Sequence, residues 1–433
     1  MAQRNKPAKS NSSSCEIATY PNSRSPVLLI ASLLLLLTFA GSPSSHLAYA
    51  AKEATPASPV VPEQFHALYK DLQKTLIEDR RHYSPNTKGE LPHVAPALFM
   101  ASSFYGATDE GTDRWHDLIA TIDAFKDLGA DAVSVMISLP DLSDDDAPQL
   151  VDFYSRLAAE IHKRKMKLYI EHFISPPSRT KKIQDFSNDE EGRQAFFKML
   201  QREIAFIYKG IKPDYLTIVS EPQTINRWTQ LTLSPEAISS WLDTLCTALK
   251  RTGVSPNTLL GAGAGTWEND EYLVKFAGCK DLDYIDFHFY PLMMNGKNSL
   301  ATMSLQIEEL REVRPDMMVN IGETWLYKHG SQDPGGMYDK EAYKSNNYSF
   351  WAPLDQTFLK LLMAVAKKEK ISVVAPYFSQ YLFTLYDFGS DDANKLPAFP
   401  GCMMVSWVRA VKSIQLKQLT PIGTTLKELL NGQ

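Results

Sequence analysis

From about residue 95 onward the chain repeats one pattern. A short β-branched or apolar run is followed by a longer stretch whose apolar positions recur at helical spacing. The runs predict strands at Ala95–Met100, Ala132–Ile137, Lys167–Phe173, Tyr215–Val219, Leu259–Gly263, Tyr284–Phe289, Met318–Ile321 and Val373–Phe378. The helical stretches fall at Arg114–Asp127, Ala147–Lys163, Glu191–Tyr208, Pro235–Arg251, Asp270–Ala277, Leu300–Glu312, Leu354–Lys368 and Met403–Lys412. Ahead of them, Phe65, Leu68, Leu72 and Leu76 mark one apolar face of a helix over Phe65–Tyr83, placed to lie across one end of the domain. Eight βα units with no ninth strand is the count of a closed parallel (β/α)8 TIM barrel. The expectation is one catalytic domain over residues 63–433 with an N-terminal extension helix. A doubly wound open sheet is the structural rival, but no glycine-rich phosphate loop follows the first strand. Gly261-Ala-Gly-Ala-Gly265 is a G-x-G match without the context of a dinucleotide fingerprint.

The first fifty residues follow a different pattern. Residues 1–26 are polar and carry Arg4, Lys6, Lys9 and Arg24 against Glu16; an unbroken apolar run from Val27 to Ala40 follows, then Ala48-Tyr49-Ala50. A basic leader, a short apolar stretch and an A-x-A tripeptide make a secretory signal peptide, with cleavage expected near Ala50 and a secreted or periplasmic destination. The apolar run is shorter than the ~20 residues of a spanning helix, so no stable membrane span is expected after cleavage; an uncleaved anchor is the alternative, because the leader is unusually long. Residues 51–62, rich in Ala, Pro, Ser and Val, read as a linker.

Composition narrows the function. With 44% hydrophobic and 22% charged residues the chain is an ordinary folded protein. The net charge of −5 argues against a nucleic-acid partner. Removing residues 1–50 takes away four basic charges and one acidic one, which moves the net charge to −8. Such a surface repels anionic polymers and favours a neutral substrate. Cys246, Cys279 and Cys402 permit one disulfide in an exported chain, its pairing left open. There is no C-x-x-C motif, and neither a metal nor a cofactor is expected.

In a barrel of this kind the chemistry belongs at the C-terminal ends of the strands. Strand four ends Ser220-Glu221-Pro222-Gln223, and strand seven ends Gly322-Glu323-Thr324-Trp325. Burying an unpaired carboxylate is costly, so a strand-end glutamate has a partner or a task. Strands four and seven lie nearly across the barrel, so their tips can converge. Two carboxyl groups about 5–5.5 Å apart suit a retaining glycosidase, one as nucleophile and one as acid/base, with the acid/base pKa raised by its neighbour. In strand six, Asp286, His288 and Tyr290 alternate onto one face. Strand three ends in Glu171-His172, with the inward member of the pair open.

Ser220-Glu221-Pro222, His288-Phe-Tyr290-Pro291 and Gly322-Glu323 resemble the cellulase-type retaining glycoside hydrolases, (β/α)8 barrels with the acid/base after strand four and the nucleophile after strand seven. The resemblance covers the strand ends over most of the chain. It implies that Glu221 is the acid/base and Glu323 the nucleophile, that Tyr290 hydrogen-bonds the nucleophile, and that His172 and His288 line the subsite at the scissile bond. Two positions depart from the family pattern. Ser220 replaces an asparagine that contacts the sugar 2-hydroxyl, and Ser134 stands where many members carry an arginine supporting the nucleophile.

Aromatic residues follow several strands: Phe104, Tyr105, Trp228, Trp267, Trp325, Tyr327, Trp351, Tyr377 and Tyr381. Sugar rings pack their C–H faces on such side chains, so a glycan groove that uses Gln223, Trp267, Trp325 and Tyr377 beside the acids is expected. Residues Lys328–Pro353 read as an active-site loop. The expected substrate is a neutral β-linked poly- or oligosaccharide. Two rivals stand beside this reading. One is a divalent-metal sugar isomerase or epimerase using Glu221, with Asp286 or His288 and a later acid, as ligands, although strand five offers only Gly and Ala before Thr266-Trp267-Glu268. The other is a barrel that binds glycan after losing catalysis.

Overall fold

The alternating runs assemble into eight parallel strands. The structure is a computed structural model that describes residues 59–84, 87–101, 113–139, 147–174, 186–291, 299–328, 340–398 and 401–432. The signal-peptide expectation over residues 1–50, most of the linker, Phe104, Tyr105 and residues 329–339 lie outside them. The chain divides into Met1–Ala57 and Ser58–Gln433, and every described residue belongs to the second unit. The strands are β1 (His93–Val94), β2 (Ala132–Leu139), β3 (Lys167–Ile174), β4 (Tyr215–Val219), β5 (Leu259–Gly265), β6 (Tyr284–Phe289), β7 (Met318–Thr324) and β8 (Val373–Pro376). Helices α1 (His66–His82), α2 (Asp113–Leu128), α3 (Ala147–Lys163), α4 (Glu190–Phe206), α5 (Pro222–Thr229), α6 (Pro235–Arg251) and α7 (Glu271–Ala277) belong to the first five units and the extension. They are followed by α8 (Leu300–Val313), α9 (Lys340–Ser345), α10 (Ala352–Lys368), α11 (Asp391–Asn394), α12 (Gly401–Gln415) and α13 (Pro421–Asn431).

Sheet order is β1-β8-β7-β6-β5-β4-β3-β2, every pair parallel, and a bridge between Ala97 and Ser134 joins the two ends of the series. This is the TIM barrel. Its seam is narrow because of Pro96. That residue has no N–H to give to β2, so the seam is held only by Ser134 N on the Pro96 carbonyl (3.2 Å) and Leu98 N on the Ser134 carbonyl (2.8 Å) before Phe99–Ala101 curls into a 3-10 turn. The first strand is therefore earlier and shorter than its apolar run predicts. Proline also changes the reading after β4. Pro222 sits in the first turn of α5, where a missing N–H costs nothing, and starts a helix directly behind Glu221. Helix α13, capped by Thr420 and also begun by a proline, is likewise absent from the sequence prediction.

Inside the barrel Tyr169, Tyr215 and Tyr284 fill one side, with centroids 5.7–6.1 Å apart, against Ala95, Ala132, Val373 and Ala375. The glycines of β5 give these side chains room. A Cβ on Gly261 would overlap the Tyr284 ring, and one on Gly265 would overlap the Trp267 indole. The glycine run is thus a packing device for neighbouring side chains. Gly261→Ala is expected to cost about 3 kcal/mol of stability, the upper end of overpacking penalties, and to lower the urea midpoint. An unchanged midpoint would mean that the ring can retreat. Cys246, Cys279 and Cys402 are buried free thiols, none in a disulfide. No described helix is long and apolar enough to cross a membrane.

Candidate active site

Four strands deliver ionisable groups to one point at the C-terminal end of the barrel. His288, from β6, is fully buried at their centre. Its Nδ1 lies 2.9 Å from Glu221 Oε1 and 3.2 Å from Glu323 Oε2, and its Nε2 lies 3.0 Å from Glu171 Oε1 on β3. The last contact is an ion pair without hydrogen-bond alignment, since both atoms lack a hydrogen-bond partner among the described residues. Because one nitrogen touches both carboxylates, the Glu221 and Glu323 oxygens can be no further apart than the two distances end to end, 6.1 Å. Tyr290, just beyond β6, donates its hydroxyl to Glu323 Oε1.

The charges settle accordingly. Burial opposes a charged imidazole at His288, but Glu171, Glu323 and Glu221 outweigh it and hold its pKa well above the usual histidine value. Burial would raise Glu221, yet the hydrogen bond and charge of His288, with help from Thr224 and Arg227, pull it below the ordinary glutamate value. Glu323 goes the other way. Burial, and then the charges of Glu171 and Glu221, push it up to about 8 against the pull of His288 and Tyr290. On sequence grounds the raised pKa belongs to Glu221; here it is Glu323 that burial and the charges of Glu171 and Glu221 raise, while Glu221 takes the His288 hydrogen bond.

Glu221 is fixed from behind. Glu268, after β5, accepts from Gln223 N (2.8 Å) and Thr224 N (3.2 Å) through Oε1 and from Gly265 N (3.3 Å) through Oε2. It thereby ties the first turn of α5 to the end of β5. Burial, followed by the charge of Glu221, raises Glu268 to about 8.

Sequence-expected residues divide into two groups. Glu221, Glu323, His288 and Tyr290 meet, and the Trp267 and Tyr377 rings stand 5.9 and 6.4 Å from the Tyr290 ring, both half-buried. Ser220 is buried next to Glu221 in the chain, and Gln223 is exposed with its backbone N–H on Glu268. His172 and Trp325 do not join them. His172 is turned the other way, with Nε2 3.2 Å from Glu203 Oε2 on α4 and Nδ1 3.3 Å from the Ile218 carbonyl. The parity set by inward Tyr169 gives the inward place to Glu171, so the subsite expected of His172 falls to its neighbour. Trp325 is fully buried against Tyr381 and beneath Lys328, with no exposed face to offer a sugar. Trp351 and Tyr381 are buried too, and the described part of the expected loop (340–353) packs as α9 and a 3-10 turn.

Neither a protein-family description nor a curated protein matches the sequence. Solved structures do. A fungal β-1,4-galactanase is 13% identical, over 66% of this chain and 89% of its own, with a TM-score of 0.44. An exo-β-1,4-mannosidase from Opitutaceae bacterium strain TAV5 is 13% identical, over 81% of this chain and 61% of its own, with a TM-score of 0.48. A glycoside hydrolase family 5 mannosidase from Rhizomucor miehei is 12% identical, over 80% of this chain and 95% of its own, with a TM-score of 0.46. At such identities the likeness is one of fold.

The site itself offers a carboxylate, a carboxylic acid and a cation within one hydrogen-bonded cluster, edged by half-exposed aromatic rings. Glu171, His288 and Glu323 also present ligand atoms within 4.8 Å of one another, enough for a divalent cation. A metal there would have to displace the proton that the surrounding carboxylates hold on His288.

Proposed function

We propose that the protein is a secreted retaining glycoside hydrolase that acts on a neutral β-linked poly- or oligosaccharide by double displacement. The observation that carries this is the contact of Glu221 and Glu323 with one imidazole nitrogen. With one oxygen of each within 6.1 Å of the other, the pair favours the ~5–5.5 Å spacing of a retaining enzyme over the ~6.5–9.5 Å that fits a water between sugar and base. The basic leader, short apolar run and A-x-A tripeptide ending at Ala50 support export, which N-terminal sequencing of the exported chain tests.

In this reading Glu323 attacks the anomeric carbon as its bond to the leaving oxygen breaks, and that oxygen takes the proton of Glu221. Water then attacks the glycosyl ester, gives a proton to Glu221 and frees Glu323. Before the first step the proton stands on the wrong carboxyl, since Glu323 is the weaker acid of the two. His288 can correct this: Nδ1 gives its proton to Glu221 Oε1 and takes the one on Glu323. Tyr290 then stabilises the ionised nucleophile.

The pair therefore works with one shared proton, and its pH behaviour belongs to the pair. Above about pH 8 that proton is lost and no acid remains for the leaving group. Toward acid pH, below the ordinary glutamate value, Glu221 takes up a second proton and Glu323 cannot ionise. We expect kcat/KM to fall on both sides of this window. With a dinitrophenyl glycoside, whose leaving group needs no proton, the alkaline fall should largely vanish; its persistence would contradict the acid role of Glu221.

Activity on a panel of soluble β-glycans, with NMR of the first product formed, tests the reading. A retained anomer supports it; an inverted one, or no hydrolysis of any glycan, contradicts it. One observation, the Glu171–His288–Glu323 cluster, favours divalent-metal sugar isomerisation instead. Sugar isomerisation abolished by a chelator and restored by manganese would establish that reading.

A further inference from the structure

Simple alternation would aim Glu323 away from the cleft. Along β7, Asn320 pairs with inward Asp286 and Ile321 with Phe287. Phe287 and Ile321 both lie in the apolar layer between sheet and helices. Continued alternation would turn residue 322 inward and residue 323 outward. Instead the register slips, the next pair is His288 with Glu323, and Gly322 is left without a partner on β6. The ladder to β8 slips over the same stretch, between Ile321 and Thr324. One extra residue reverses the facing of every side chain after it, and such bulges are rare in parallel pairs.

Asp286 occupies the space this bulge opens. Its Oδ1 accepts the Gly322 N–H at 2.6 Å, while Oδ2 accepts the Tyr169 hydroxyl at 2.6 Å and the Thr217 hydroxyl at 2.7 Å. Thr217 is itself 2.9 Å from the Tyr284 hydroxyl, so the carboxylate rests on a fixed interior network. A Cβ on residue 322 would overlap the Asp286 carboxylate, which explains glycine there. Asp286 is fully buried and so touches no bound sugar; it reaches the site through the Gly322 amide and through its charge on His288.

We infer that Asp286 is a positioning residue: by pinning the amide of Gly322 it sets the bulge that turns Glu323 into the cleft beside His288 and Tyr290. The inference rests on the reading of Glu323 as nucleophile for its effect on catalysis, but its structural half does not.

Two variants, Asp286→Asn and Asp286→Ala, are compared with wild type and Glu323→Gln by steady-state kinetics and by NMR titration of the His288 ring. Misplacing a reacting group by about 1 Å costs on the order of 100-fold. Asp286→Ala is expected to lower kcat about that much with KM within roughly threefold, and Asp286→Asn, which keeps one acceptor, to lose less. The His288 titration should move down further in Asp286→Ala than in Asp286→Asn, which removes the same Asp286 charge but keeps an acceptor for Gly322, because only in the alanine variant does the Glu323 charge leave its neighbourhood. Folded variants with wild-type kcat, or with His288 shifted equally in the two, would overturn the inference. So would a loss of stability that carries kcat and KM down together with His288 unmoved. If Asp286→Ala does not fold, the isosteric asparagine variant decides by its split of kcat against KM. Should the wild type cleave no glycan, the hydrolase reading fails, while the His288 titration still decides whether Asp286 places Glu323.

Discussion

Glu323→Ala is expected to lower kcat by about three orders of magnitude or more on any glycan the protein cleaves, with folding intact. The side chain stands at the mouth of the barrel rather than in its core, and its partners Tyr290 and His288 are each anchored independently on or beside β6. Truncation therefore removes a reacting group and little packing. It also leaves a hole next to the anomeric carbon. Azide or formate should enter that hole and restore part of the rate on an activated glycoside, with the azide product inverted. Activity near that of wild type would remove Glu323 from the mechanism. A low rate that no small anion restores would point to a structural role.

Lys328→Ala is expected to cost about 3–5 kcal/mol of folding stability, the penalty for leaving one half of a buried ion pair alone. Lys328 Nζ lies 2.5 Å from Asp355 Oδ1, both side chains are almost wholly buried, and the ammonium faces the Trp325 and Tyr381 rings at 5.8 and 5.7 Å. Burial holds Asp355 at about 6 even with its partner present. Without the lysine it would fold only as the neutral acid. Wild type keeps the same proton up to about pH 6, so the loss should be flat below that pH and grow above it, where wild type ionises Asp355 and the variant cannot. Urea unfolding at pH 4 and pH 7 checks both size and sign. The paired change Lys328→Met with Asp355→Leu should recover most of the loss, since an apolar pair of similar volume leaves no orphaned charge. Equal losses at the two pH values would mean that water reaches Asp355.

The eightfold alternation of strand and helix is legible in the sequence because each unit buries its own apolar stripe. Asp286, His288 and Tyr290 are legible because β6 keeps strict alternation up to its end. Glu171 needs one more fact, that Tyr169 two residues earlier belongs to the inner tyrosine layer; without it Glu171 and His172 are equivalent. Glu323 stands out by its motif and not by parity, which the Gly322 bulge reverses. Pro96 and Pro222 mislead in opposite senses, one cutting a strand short and the other opening a helix. Aromatic residues after strands are the least readable. Trp267 and Tyr377 are half-exposed beside Tyr290, whereas Trp325, Trp351 and Tyr381 fill the packing behind the loops, and local sequence does not distinguish the two environments. The raised pKa of Glu323 depends on its burial, on the charge of Glu171 beside it and on which carboxylate takes the His288 hydrogen bond, none of which local sequence gives.

Double displacement requires a covalent sugar ester at one carboxylate, and trapping that ester tests it most directly. The protein is incubated with activated 2-deoxy-2-fluoro glycosides of glucose, mannose, galactose and xylose, then digested and mapped by mass spectrometry. One sugar equivalent on the peptide that contains Glu323, absent in Glu323→Gln, is the predicted result. A label on Glu221 or Glu171, or turnover of natural substrate with no label on any residue, would contradict it.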